Sequence, residues 1–188
     1  MTTTARTVAC LMLAMTFGAS PRAQEKPGAP VIPVKVQVVI SRYAGDKKVS
    51  SAPYTLSANA GSAAEPKQQW ALATLRMGAK VPVATTVGPR PDGRPAADVP
   101  FNYQDVATSI DCRTASLDDG RFRLEITVDD SSVYDADQAK SSDHPSFRSF
   151  RANDSMILKD GQSAQFTSAT DKVSGEVTRV DVTLFVVK

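Results

Sequence analysis

The clearest pattern in the chain is alternation. Phe122, Leu124, Ile126 and Val128 fall on one side of an extended segment, with Arg121, Arg123, Glu125 and Thr127 on the other. A period of two is that of a strand, whose successive side chains point to opposite faces. Val106, Thr108, Ile110 and Cys112 repeat the pattern upstream, and Asp118-Asp119-Gly120 lies between the two runs. Glycine there supplies the positive φ that tight reversals require. Phe101 to Val128 therefore predicts a hairpin with one face packed and the other solvated.

The rest of the chain predicts further strands. Val34, Val36, Val38 and Ile40 share a face opposite Lys35 and Gln37, and Gly45-Asp46 marks the following turn. Val49 to Ala58 alternates loosely. Its Pro53 predicts an edge position or a bulge, because proline cannot donate to a ladder. Asn59 to Gln69 reads as a loop. Trp70 to Met77 reads as a strand apolar on both faces, broken at Gly78 and resuming with Val81, Val83, Thr85 and Val87. Residues 88–100 hold four prolines and two glycines and predict a surface loop. Asp129 to Ser146 reads as a polar, acidic connection. A short strand is expected over Phe147 to Arg151, then a second hairpin from Ser155 to Ser168 about Asp160-Gly161. A last strand follows from about Glu176 to Val187. Phe185 and Val187, opposite Val180, Val182, Leu184 and Val186, predict that this strand is covered on both sides. No segment carries a helical period with caps. Many short strands with regular turn signals predict an all-β fold of antiparallel hairpins with sandwich-like packing.

The N-terminus has a different character. Arg6 precedes the mostly apolar run Val8 to Phe17, and Gly18, Ala19 and Ser20 lead to Pro21-Arg22-Ala23. This is the order of a secretory signal, with cleavage expected after Ala23. The apolar run, about ten residues, is too short to span a bilayer. The expected organisation is a signal over 1–23, a proline- and glycine-bearing leader over 24–33, and one β-domain over 34–188. Export implies a periplasmic or secreted location, and outer-membrane association is compatible with it.

Charge changes little once the signal is set aside. The full chain has 22 basic and 20 acidic residues, and removal of Arg6 and Arg22 with the signal brings the two into balance. Neither nucleic acid nor an anionic membrane surface is called for. Cys112 is then the sole cysteine, so no intrachain disulfide is expected; on an apolar strand face it reads as a small buried hydrophobe.

Candidate chemistry is sparse. The sole histidine, His144, stands beside Pro145 and near Ser141, Ser142 and Ser146, without the spacing of a nucleophile elbow. One histidine and one cysteine do not make a zinc site. The acidic residues Asp129, Asp130, Asp135, Asp137 and Asp143 are the one metal-like feature, but their spacing is not that of a calcium loop. Trp70 and Tyr54 would suit a sugar platform or, more commonly, a core. No glycine-rich loop precedes a helix. No catalytic, cofactor-binding or metal-ligating residue is assigned and no cofactor is expected. The reading is non-enzymatic. A calcium- or carbohydrate-binding β-sandwich is the alternative, and a hydrolase using surface carboxylates stands third.

Several segments resemble, in order, the C-terminal domain of bacterial secretins, the ring-forming outer-membrane channels of type II and III secretion and type IV pili. These are VKVQVVIS from Val34, VSSAPYTLSA from Val49, LRMGAKVPVAT from Leu75, YQDVATSIDC from Tyr103, DGRFRLEITVDDSSV from Asp119, and LKDGQ within Phe147 to Phe166. LRMGAKVPVAT, similar to the family's "V-G-x-x-V-P-V-x-T" block, is the most specific. The resemblance covers residues 34–188 and implies a secretin-like β-domain acting through protein contacts, with an envelope or secretion component or with itself. The family's glycine pair and leucine-proline-glycine segment are missing where this chain reads QFTSATDKVSGEVTRV from Gln165, and with about ten residues between the expected signal and the first strand no ring-building domains are expected ahead of Val34. The expectation is a structural or interaction role, accessory to a secretion or envelope system, without channel formation by the chain alone.

Overall fold

The computed structural model describes residues 31–84, 101–134 and 145–188. Eight strands account for most of them: β1 (Ile32–Ala44), β2 (Lys47–Ser62), β3 (Leu72–Ala84), β4 (Phe101–Ser116), β5 (Phe122–Val133), β6 (Phe147–Leu158), β7 (Ser163–Thr170) and β8 (Val177–Val186). The helical element among the described residues is one 3₁₀ turn, Lys67–Gln69. The all-β reading holds. The proposed signal, most of the leader, the loop at 88–100 and residues 135–144 lie outside the described residues.

The strands form two antiparallel layers. One layer runs β2-β1-β8-β7, and the other runs β3-β4-β5-β6. They join at one corner, where Gly61 and Ser62 at the end of β2 pair in parallel with Ala115 and Ser116 of β4. At the opposite seam β6 and β7 lie side by side with no ladder between them. The inward faces form a single core. Val34, Val36, Val38, Ile40, Leu56, Val180, Val182 and Leu184 come from one layer, and Ile110, Cys112, Phe122, Leu124, Ile126, Val128 and Leu158 from the other. Apart from Leu56 of β2 and Leu158 of β6, these are the alternating positions of β1, β4, β5 and β8, so hydrophobic burial sets the register: a slip of one residue would send each whole set to solvent.

The turns use the expected glycines. Gly45, Gly120 and Gly161 all have positive φ, near 60–75°. Pro53 lies on β2, which pairs along nearly its whole length with β1 alone, in line with the edge expectation. On β7 a register shift between Gln165 and Thr167 inserts Phe166 as an extra residue. The bulge lets Phe166 reach the core, where it is buried.

Several expectations are corrected. Gly78 does not break β3, which pairs with β4 without a register shift from Leu72 to Ala84. Its lack of a side chain serves close approach instead: a Cβ there would lie 2.5 Å from the Ala107 Cβ and 2.7 Å from the Val106 carbonyl oxygen. Trp70 is not in the strand; it follows the 3₁₀ turn, buried, with its indole N–H donating to the Glu65 carbonyl. β1 begins at Ile32, inside the expected leader, and β2 continues to Ser62, because Ala58 and Ala60 extend the buried face. β5 extends to Val133, and β6 is one strand rather than two pieces. The polar residues Asn153 and Asp154 sit on exposed parts of that edge strand and cost it little. Phe185 and Val187 are exposed, 43% and 40%, so β8 is covered on one face only. No described helix is long and apolar enough to cross a membrane, which says nothing about strands.

Candidate functional site

Three surfaces carry more than packing requires. The first is a ribbon. Beyond Gly78, β3 and β4 continue as a two-stranded extension in which Gly78–Ala84 pairs with Phe101–Ala107. Among the described residues no layer covers this stretch, and alternation places side chains on two faces. Met77 on one face is 67% exposed, while Tyr103 and Phe101 on the other are 64% and 57% exposed. Lys80 and Asp105 pair at 3.0 Å beside the aromatics. Isolated exposed apolar residues are ordinary, but Phe101 and Tyr103, two apart on one face of the ribbon, form an aromatic patch of the kind found at interaction sites, and Met77 is exposed at the ribbon's base on the other face.

The second is a polar cleft of about 340 Å³ between the layers, lined in part by Arg42, Asp130, Tyr134, Arg148, Asp171 and Lys172. Arg42 of β1 reaches across to Asp130 and Ser132 of β5, both at 3.0 Å. The other Asp130 oxygen accepts from the Thr108 hydroxyl at 2.7 Å, and Thr108 lies 3.1 Å from the Tyr54 hydroxyl. Arg148 of β6 donates to Ser132 at 2.7 Å and to Glu176 at 2.6 Å, with its guanidinium over the Tyr134 ring at 5.1 Å. The Tyr134 hydroxyl donates to Asp171 at 2.7 Å, and Asp171 also accepts from Ser174 and the Val173 N–H. Burial by itself would raise the Asp171 carboxyl. The hydrogen bonds from Tyr134, Val173 and Ser174 outweigh it and hold the carboxyl below its usual range. The same bond raises the Tyr134 phenol. The groups are mutually satisfied, so the cleft reads as a tie between the layers.

The third is the outward face of the β3-β4-β5-β6 layer, where a cleft of about 410 Å³ lies over β4 and β5. Arg76 holds Asp111 with both carboxylate oxygens, at 2.7 and 2.9 Å, and Lys67 of the 3₁₀ turn pairs with Glu125.

The candidates read from sequence are dispersed. Asp129 and Asp130 are neighbours on β5, so the pleat sends them to opposite faces. Asp129 pairs with Arg151 at 3.3 Å outside, and Asp130 takes Arg42 inside. They cannot share an ion. Asp135, Asp137, Asp143, His144, Ser141 and Ser142 lie outside the described residues; the Ser146 carbonyl accepts from the Tyr134 N–H. Among the described residues no three metal-ligating side chains converge. Trp70 and Tyr54 form no sugar platform, since Trp70 is buried and Tyr54 is engaged with Thr108 and packed on the core. Cys112 is fully buried, and burial pushes its thiol up to about 12, which leaves it a core residue and not a nucleophile. Neither cleft was visible in the sequence, because each collects single residues from strands distant along the chain.

No family model matches the sequence, and no curated protein matches it. Solved structures do match the fold. One is the type II secretin GspD of enteropathogenic Escherichia coli, at 9% identity and a TM-score of 0.43, over 84% of this chain and 67% of that one. A second is the InvG secretin domain of the Salmonella SPI-1 injectisome, at 10% identity and 0.38, over 84% and 61%. A third is the type IV competence pilus secretin PilQ of V. cholerae, at 10% identity and 0.35, over 84% and 59%. The domain is similar to bacterial secretins. At these identities the likeness of the secretin-like domain extends to fold alone, and the chain spans less than two thirds of InvG and PilQ.

Proposed function

We propose that the chain is a non-enzymatic, exported β-domain that works through protein contacts in a secretion or envelope system, and that the β3–β4 ribbon makes those contacts. The observation that carries this reading is the exposure of Phe101 and Tyr103 on one face of a ribbon that outruns the core, with Met77 exposed at its base. Folding alone gives no reason to place large apolar side chains there. The ribbon also coincides with LRMGAKVPVAT and the start of YQDVATSIDC, two of the secretin-like segments. The signal at 1–23 would deliver the domain to the periplasm or beyond, within reach of the outer membrane. A second copy of the chain is the other occupant of the ribbon.

The test is site-specific photo-crosslinking in the producing cell, with the crosslinker at Met77 or Tyr103 and, as a control, at Val49 on β2. Adducts to an envelope or secretion component from the ribbon positions, absent from the control, are expected. The pair Met77→Asp and Tyr103→Asp should remove them without lowering the melting temperature. Light scattering and electron microscopy of the purified mature chain should show no channel. Equal adducts from every position would overturn the ribbon assignment, and large rings with a central pore would overturn the reading of a domain that forms no channel by itself.

A further inference from the structure

On the outward face of the β3-β4-β5-β6 layer the charges do not balance. Alternation places four carboxylates there, Asp105, Asp111, Glu125 and Asp129, and each has its own cation: Lys80, Arg76, Lys67 and Arg151 respectively. Arg113 of β4 and Arg123 of β5 share the face, since Arg113 stands opposite Glu125 and Arg123 opposite Ala115 in the β4–β5 register. Neither has an ion-pair partner among the described residues.

Arg113 is the more telling of the two. It lines the cleft of about 410 Å³, together with Lys67, Asp111, Glu125, Thr127, Asn153 and Asp154. Its Nε is buried and has no hydrogen-bond acceptor. A buried N–H of a charged group left without an acceptor is costly and rare in folded proteins, and such an orphan calls for an explanation. Of the cleft's carboxylates, Asp111 and Glu125 are taken up by Arg76 and Lys67, and Asp154 accepts from the Ser155 N–H; none of them pairs with the Arg113 guanidinium.

We propose that this cleft is a carboxylate-binding site, with Arg113 as its anchor. A guanidinium presents parallel N–H donors that match the two oxygens of a carboxylate. The Thr127 hydroxyl and the Asn153 amide, 3.4 Å apart, add hydrogen-bonding capacity on the cleft wall. An unpaired guanidinium among the carboxylates Asp111, Glu125 and Asp154 suits a group carrying one negative charge better than a group carrying two. A divalent phosphate would meet those flanking carboxylates. Arg123, outside the cleft on the same face, would attract a second carboxylate on the same ligand. The shared chemistry is that of an acidic polypeptide segment or of a free di- or tricarboxylate. This site is separate from the ribbon, so it stands whether or not the ribbon is a contact surface.

The experiment is titration of the mature full chain, followed by calorimetry and amide chemical shifts, with a hexaglutamate peptide, citrate and inorganic phosphate in turn. Binding of a carboxylate probe at or below about 1 mM is expected, weakening with salt. Arg113→Gln should weaken it about tenfold or more, and Arg123→Gln less. Because its Nε has no partner, Arg113→Gln should leave the melting temperature unchanged or raised, whereas a merely structural arginine would lower it. Asn153→Trp, which fills the cleft from an exposed edge strand, should abolish binding in a folded chain. Hexaglutamate favoured over citrate would identify an acidic polypeptide as the source, and the reverse a free carboxylate; both support the site. Phosphate bound more tightly than either carboxylate, binding unchanged in Arg113→Gln, or no binding by any probe would overturn it.

Discussion

Tyr134 shows what one residue does at the end of a strand. It follows β5, its ring lies beneath Arg148, and its hydroxyl is bound by Asp171 in the β7–β8 turn. The bond joins the two layers and shifts both groups, lowering the carboxyl and raising the phenol. The signs give a pH window. A lowered folded pKa stabilises above the ordinary carboxylate value, about 3.9, and that contribution is lost as pH falls through the depressed value. A raised tyrosine contributes below its ordinary value, about 10, and loses its contribution as pH rises through the higher one. Tyr134→Phe should therefore cost about 1–2 kcal/mol at neutral pH, as expected for a hydrogen bond to a charged group. The difference from the native chain should shrink below about pH 4. Urea denaturation across pH measures this, and a difference that stays constant from pH 7 to pH 3 would contradict it.

At the scale of the strand, the two faces of one ladder carry different weight. Leu124 on β5 is fully buried among residues of both layers, whereas Phe185 on β8 is equally apolar but points outward. Leu124→Ala should cost about 2–5 kcal/mol through lost transfer energy and a residual cavity. Phe185→Ser should change stability by no more than about 0.5 kcal/mol. The two substitutions in parallel urea titrations test the one-sided covering of β8. A cost at Phe185 comparable to that at Leu124 would mean that something packs on that face. The ribbon follows the same logic in reverse. Its strands pair as regularly as those of the core, yet with no opposing layer among the described residues its alternation leaves no side chain fully buried.

At the scale of the whole molecule, the ladder bonds that join the layers among the described residues lie at one corner, Gly61–Ser62 with Ala115–Ser116. The opposite seam relies on side chains, chiefly Arg148 with Ser132 and Glu176, and Tyr134 with Asp171. Both partners of the Arg148–Glu176 pair are largely buried, 16% and 9% exposed, so solvent screens it little. Arg148→Ala should destabilise the fold by about 2–4 kcal/mol, combining lost charge-assisted bonds with lost packing on Tyr134. It should also speed hydrogen exchange in β6 and β7 before β1 and β4. Uniform exchange across all strands would argue that the seam is not a separate point of opening.

Much of this architecture is legible in the chain itself. Alternation at Val34–Ile40, Val106–Cys112, Phe122–Val128 and Val180–Val186, with glycine at each sharp reversal, determines the strands, their inward faces and the antiparallel neighbours, because side-chain period and turn chemistry are local properties. Tertiary structure decides what alternation cannot encode. Gly78 looks like a break until Ala107 is seen against it, and Phe185 looks covered until the outer face proves bare. Asp129 and Asp130 look like one acidic cluster until the pleat separates them. Arg113 reads as one more outward charge on a strand. Only when β3, β5, β6 and the Lys67 turn converge around it does it emerge as a cation with a buried, unpartnered N–H, because pairing across a sheet depends on distance in space and not along the chain.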